Sequence, residues 1–97
     1  FSLYILRCAD GSLYTGIAAD VDRRLAEHEA GARGAKFLRG KGPFEVLLAQ
    51  LVGDRATASR LEYRVKQLPR AQKLELIDGR RSLDDLLQDQ VLGAGGS

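Results

Sequence analysis

Cysteine occurs once in this chain, at Cys8, so neither an internal disulfide nor a cysteine-rich zinc site can hold the fold together. A chain without those staples suits a reducing compartment, and a cytoplasmic location is expected. Methionine is missing altogether, which suggests that the natural start lies upstream of Phe1, and no charged-then-apolar leader is visible. No apolar run approaches the roughly 20 residues needed to span a bilayer, so no membrane attachment is expected. Repeats, linkers and low-complexity stretches that would divide the chain are also missing. The 97 residues suffice for one small domain with one hydrophobic core. That domain is expected to fill 1–97, with its core over about 2–79, a short C-terminal helix and a flexible tail.

The formal net charge is only +2, but its distribution is uneven. The segment "GARGAKFLRGKGP" carries Arg33, Lys36, Arg39 and Lys41 with no acid. Between Arg55 and Arg81, eight basic residues stand against Glu62, Glu75 and Asp78. Near the end, "SLDDLLQDQ" has acids and no base. Clustered positive charge attracts phosphates, although a solvated helix face is the commoner reading of any single charge run.

Residues 2–8 and 12–18 read as strands separated by the turn signature "ADG". A three-residue loop of Ala9, Asp10 and Gly11, with Gly11 left-handed, pairs Cys8 with Ser12 and Leu6 with Tyr14. Tyr4 and Tyr14 then share one face. A two-residue Asp10-Gly11 loop would put them on opposite faces, because side chains alternate along a strand.

Asp20 is a cap for a helix over about 21–30, whose inward stripe reads Val21, Arg24, Leu25, His28. Two of those positions are polar, while Arg23 and Glu27 are expected to face solvent. "FEVLLAQLV" at 44–52 is a third strand, and Asp54 caps a helix that ends near Leu68 before Pro69. Its stripe is Ala58, Leu61, Glu62, Val65, Leu68, with Arg60, Arg64 and Lys66 placed elsewhere. Glu62 interrupts an apolar face, which is costly for a carboxylate unless it is paired, hydrated or metal-bound. A further helix is expected over about 70–78, and Ser82 with Asp85 has capping-box spacing for a last one.

Tyr4, Tyr14, Arg24, His28 and Glu62 are thus directed toward a common interior from three elements. Each also has an ordinary reading: packing for the tyrosines, a snorkelling arginine, a satisfied histidine, a glutamate paired to an arginine. Together they are complementary parts for phosphodiester hydrolysis: a base, a phosphate clamp and a metal ligand.

The order "LYILRCADGSLYTG", "DVDRRLAEHEAG", "GAKFLRGKGP" and "EYRVKQLPRAQK" resembles the GIY-YIG nuclease superfamily and, within it, the small stand-alone bacterial UPF0213 proteins. It is also similar to the nuclease domain of structure-specific resolvase subunits, which carry a zinc module that this chain lacks. The resemblance implies an α/β (α+β) GIY-YIG endonuclease fold, a three-stranded antiparallel sheet flanked by helices, in agreement with the strands and helices read above. It implies a metal-dependent DNA endonuclease, acting on branched or single-stranded substrates, with a link to DNA repair. Tyr4 and Tyr14 match the motif tyrosines, and Arg24 and His28 the arginine and histidine that follow. Glu62 matches the metal-binding glutamate, for which Mg2+ or Mn2+ is the suited ion.

Two motif positions depart from the pattern, Ser2 in place of glycine and Thr15 in the second motif. By the same resemblance, Tyr4 takes a proton from the attacking water, a role that requires positive charge near it because an ordinary tyrosine titrates near ~10. Tyr14 and His28 position the water or relay the proton. Gly16 is assigned to close approach of backbone or substrate, and Lys36, Arg39 and Lys41 to nucleic-acid phosphates. The alternative is a nucleic-acid-binding or partner-recruiting module with little cleavage. RNA in place of DNA, and a protein partner or homodimer, stay open.

Overall fold

The computed structural model describes residues 1–30 and 40–86. The order of elements is β1 (Ser2–Arg7), β2 (Leu13–Ala18), α1 (Val21–Ala30), β3 (Glu45–Leu51), α2 (Arg55–Gln67) and α3 (Arg70–Asp78), and 83–86 are again helical. The expected tail lies outside the described residues. The three strands form one antiparallel sheet in the order β2-β1-β3, so the fold is α+β, as the sequence indicates.

β1 occupies the centre and is buried on both faces, which explains why "LYIL" is a continuous apolar run rather than an alternating one. Leu3 and Ile5 point to one side, where they join Leu61 and Val65 of α2, Leu76 of α3, and Leu83 and Leu86. Tyr4, Leu6 and Cys8 point to the other, against Tyr14, Ala18, Phe44 and the α1 residues Val21 and Leu25. The sheet therefore separates an all-apolar core from a second cluster that contains the tyrosines.

The hairpin register decides that separation. Leu6 pairs with Tyr14 and Tyr4 with Gly16, and the loop is the three-residue one: the Cys8 N–H donates to the Ser12 carbonyl at 2.9 Å. Gly11 has φ 86°, a left-handed conformation that a side chain would strain. Asp10 supports the turn by accepting from the Ser12 N–H at 3.0 Å and the Ser12 hydroxyl at 2.6 Å, which lowers its carboxyl to about 2. Lys41 and Arg70 tie the turn to the body: the Ala9 N–H donates to the Lys41 carbonyl at 2.9 Å, and Arg70 Nη2 to the Gly11 carbonyl at 3.1 Å.

The helix signals operate as the sequence suggests. The Asp20 carboxylate accepts from the Arg23 N–H at 3.1 Å, and that of Asp54 from the Thr57 N–H at 2.8 Å. Ser82 and Asp85 exchange reciprocal hydrogen bonds at 3.2 Å, a complete capping box. α2 starts two residues after Gly53 and packs against β2 and β1, with Glu62 two turns along it. No helix among the described residues is long and apolar enough to cross a membrane.

Candidate active site

Because Tyr4 and Tyr14 lie on one face of adjacent strands, their rings come within 6.3 Å of each other, centroid to centroid. His28 enters from α1, 6.4 Å from the Tyr4 ring and 5.9 Å from the Tyr14 ring, with its far side toward Phe44. Its Nε2 shares a 3.1 Å hydrogen bond with the Tyr4 hydroxyl, in a setting where both residues are buried. The stripe reading of α1 thus places His28 inward, and the buried imidazole is satisfied by a phenol.

Gly16 explains how the phenol fits. It is the cross-strand partner of Tyr4, and a Cβ built there would meet the Tyr4 hydroxyl oxygen at 2.5 Å and Cζ at 2.6 Å. Tyr4 lies across the bare Cα. Gly16 is buried, and the group that makes the close approach to it in this structure is the tyrosine ring.

Arg24 stands one turn before His28 on α1, near enough for its guanidinium to act on the Tyr4 phenol. Its Nη1 also donates to Glu27 Oε1 at 3.2 Å. Glu27 was expected to face solvent like Arg23; instead it is half-buried and orients the guanidinium. The i, i+3 spacing in the sequence carried that signal.

The electrostatics differ from the expectation in one respect. Burial, reinforced by the neighbouring Tyr14, pushes the Tyr4 phenol up to about 12, and the pull of Arg24 in the opposite direction does not overcome this. Positive charge is present beside Tyr4, yet the phenol of the protein alone stays protonated at neutral pH. Burial and the charge of Arg24 lower His28 below its ordinary value, so its imidazole is neutral under the same conditions.

Glu62 is close enough for its charge to act on Tyr4. It is half-buried at the margin of the α2 stripe and forms an ion pair with Lys66, Oε2 to Nζ 3.5 Å. That Lys66 belongs here was missed, since the sequence reading put it on another part of the helix. Its ammonium also sits over the Tyr14 ring, 5.9 Å from the centroid, a cation–π arrangement. The i, i+4 relation to Glu62 was the available sign.

For a metal, the donor set consists of one carboxylate, and no cluster of three His, Cys, Asp or Glu side chains occurs among the described residues. A single partly accessible hard oxygen donor fits an ion of the Mg2+ kind, which keeps several of its waters and takes one or two carboxylates, and does not fit a Zn2+ cage. Of the expected nucleic-acid contacts, Lys36 and Arg39 lie outside the described residues. Lys41 reaches Asp10 Oδ2 at 3.5 Å, on the hairpin turn.

Comparison with known proteins gives a consistent result. The description "GIY-YIG catalytic domain" matches residues 1–75. A UPF0213 protein of Serratia liquefaciens is 53% identical over 94 residues, covering 96% of this chain and 91% of its own. One from Yersinia pestis is 57% identical over 88 residues, covering 90% and 92%. The solution NMR structure of a UPF0213 protein from Bacillus halodurans superposes with a TM-score of 0.52 at 45% identity, over 79% of this chain and 81% of that one.

Proposed function

The chain belongs to the GIY-YIG family, and within it to the UPF0213 group, and from that premise we propose that it is a divalent-metal-dependent endonuclease hydrolysing phosphodiester bonds in DNA. The family points to nuclease-type chemistry and to DNA, and its nucleases generally use divalent metals. The observation that supports the reading most is the Tyr4–His28 hydrogen bond with Arg24 at the same phenol, because it joins a proton path to a phosphate-binding cation.

In this reading the attacking water loses a proton to the Tyr4 oxygen as Tyr4 passes its own to Nε2 of His28. A phenol held near 12 is a poor reservoir of phenolate but a serviceable bridge, provided that its proton has somewhere to go. Neutral His28 is that destination. Arg24, held by Glu27, donates to a nonbridging phosphate oxygen, where negative charge grows in the transition state. Tyr14, packed beside both Tyr4 and His28, positions the water or relays the proton. Glu62 would hold the metal, which supplies neutralising charge at the phosphate and the leaving oxygen.

The test incubates the protein with end-labelled single-stranded, duplex and flap DNA, with and without Mg2+ or Mn2+, beside Glu62→Ala. Cleavage that requires the ion and disappears in a variant that still folds and binds supports the reading. Binding without cutting, with or without the ion, would replace it by the binding module, and cleavage confined to RNA would change the substrate.

A further inference from the structure

Tyr63 is unaccounted for by the chemistry above. It is 65 % exposed, the most exposed aromatic side chain among the described residues, whereas Tyr4 and Tyr14 are drawn into the sheet face. Single exposed apolar residues are ordinary, so exposure alone assigns nothing. Its position does more. Successive residues advance about 100° around a helix, so from the buried stripe of Ala58, Leu61 and Val65 the surface of α2 turns first to Glu62, then to Lys66, then to Tyr63. The ring therefore stands on the outer side of the Glu62–Lys66 pair, on the flank that leads out of the site.

Its surroundings are basic. Arg60 and Lys66 are three residues before and after Tyr63, which places their Cβ atoms roughly 5–6 Å away on the same surface, and both are exposed. Arg64 follows it directly. Glu62 is the one acid of α2, and it is paired to Lys66. An exposed aromatic between cations matches the chemistry of a single nucleic-acid strand, in which phosphates alternate with bases that have open faces. An apolar protein partner would have to cover the exposed cations Arg60 and Lys66 instead.

We propose that Tyr63 is a base-stacking residue of the site, receiving an unpaired DNA base next to the phosphate held by Arg24, with Arg60 and Lys66 on the flanking phosphates. The proposal rests on the nuclease reading for the place of the phosphate. It makes the site selective for single-stranded segments, because a base inside a duplex has both faces already stacked.

The experiment measures binding by the whole chain in the presence of a chelator, so that nothing is cut, to a single strand carrying one 2-aminopurine and to the same strand fully paired. Tyr63→Ala is expected to weaken single-strand binding about tenfold, to remove the quenching of the 2-aminopurine, and to leave duplex binding unchanged. Tyr63→Trp is expected to restore both. The dependence of binding on salt should keep its slope in Tyr63→Ala and flatten in Lys66→Gln, since only the second removes a phosphate-neutralising charge. Equal single-strand affinity of Tyr63→Ala and the parent, equal losses on both DNAs, or no rescue by Trp would overturn the proposal. If the Tyr63-dependent binding holds while no DNA is cut with metal present, the stacking role of Tyr63 stands and the nuclease reading falls, together with the placement of the base beside Arg24.

Discussion

Tyr4 rests on Gly16: the two pair across the β1–β2 ladder, and the phenol occupies the space that a Cβ at position 16 would need. The second motif glycine thus serves the first motif tyrosine, and the two halves of the hairpin are one device for setting the phenol beside His28.

Gly16→Ala tests that device. The obstructing atoms belong to a ring that is 2 % exposed and bounded by Tyr14 and His28, so it cannot swing aside into solvent. Overpacking of this kind typically costs about 1–3 kcal/mol, and a urea titration should show a loss in that range. Cleavage should fall further than the fraction unfolded accounts for, since the displaced phenol leaves His28. Unchanged stability together with unchanged cleavage would show that the contact is not constraining.

The raised Tyr4 value has a stability consequence with a definite sign. A folded-state pKa of about 12 against an ordinary 10 means that the unfolded chain gives up this proton first. The contribution is whole below pH 10 and is lost as pH rises from there through about 12. Its size is of the order of 2 kcal/mol. Denaturation followed with pH should therefore weaken above pH 10 in the parent and less so in Tyr4→Phe; parallel curves would refute it. His28, lowered by burial and by Arg24, has the opposite limb: its contribution is whole above about 6.5 and is lost as pH falls below that value.

Arg24→Ala should reduce the rate of cleavage more than the affinity for DNA, because a phosphate donor aimed at growing charge acts in the transition state. Glu27→Gln keeps the guanidinium and weakens its anchor, and a smaller loss of the same kind is expected. Single-turnover rates beside equilibrium binding separate the two quantities. An equal loss of rate and affinity in Arg24→Ala would assign Arg24 to binding alone.

The strands and helices were readable because their signals are local. Gly11 and Asp10 fix the turn, the turn fixes the register, and the register decides which face the tyrosines share. The capping residues Asp20, Asp54, Ser82 and Asp85 mark helix ends by the same short-range logic. What escaped was the environment of the side chains. Periodicity sorts a helix into an inner stripe and an outer remainder, and it passes over Glu27 and Lys66, whose ion pairs with Arg24 and Glu62 one turn away join them to the site. The protonated state of Tyr4 escaped for a similar reason. Positive charge beside it could be anticipated from Arg24, but the weight of burial against that charge depends on packing by Tyr14, His28 and Gly16 at once.

Lys66 gives the last prediction. Its ammonium pairs with the carboxylate that would hold the metal, so the ion has to displace an internal cation to reach Glu62. A partly exposed pair of this sort is worth about 0.2–1 kcal/mol, which sets the scale of the competition. Lys66→Gln should therefore bind Mn2+ more tightly than the parent by a factor of about 1.4 to 5, read by calorimetry without DNA, and Glu62→Ala should abolish the difference. The same substitution removes a cation from the strand-binding flank and from the Tyr14 ring, so DNA affinity should drop while metal affinity rises. Those opposite signs are what distinguish a competing cation from a structural one. If Lys66→Gln lost metal affinity along with DNA affinity, the lysine would be holding Glu62 in place for the ion rather than contending with it.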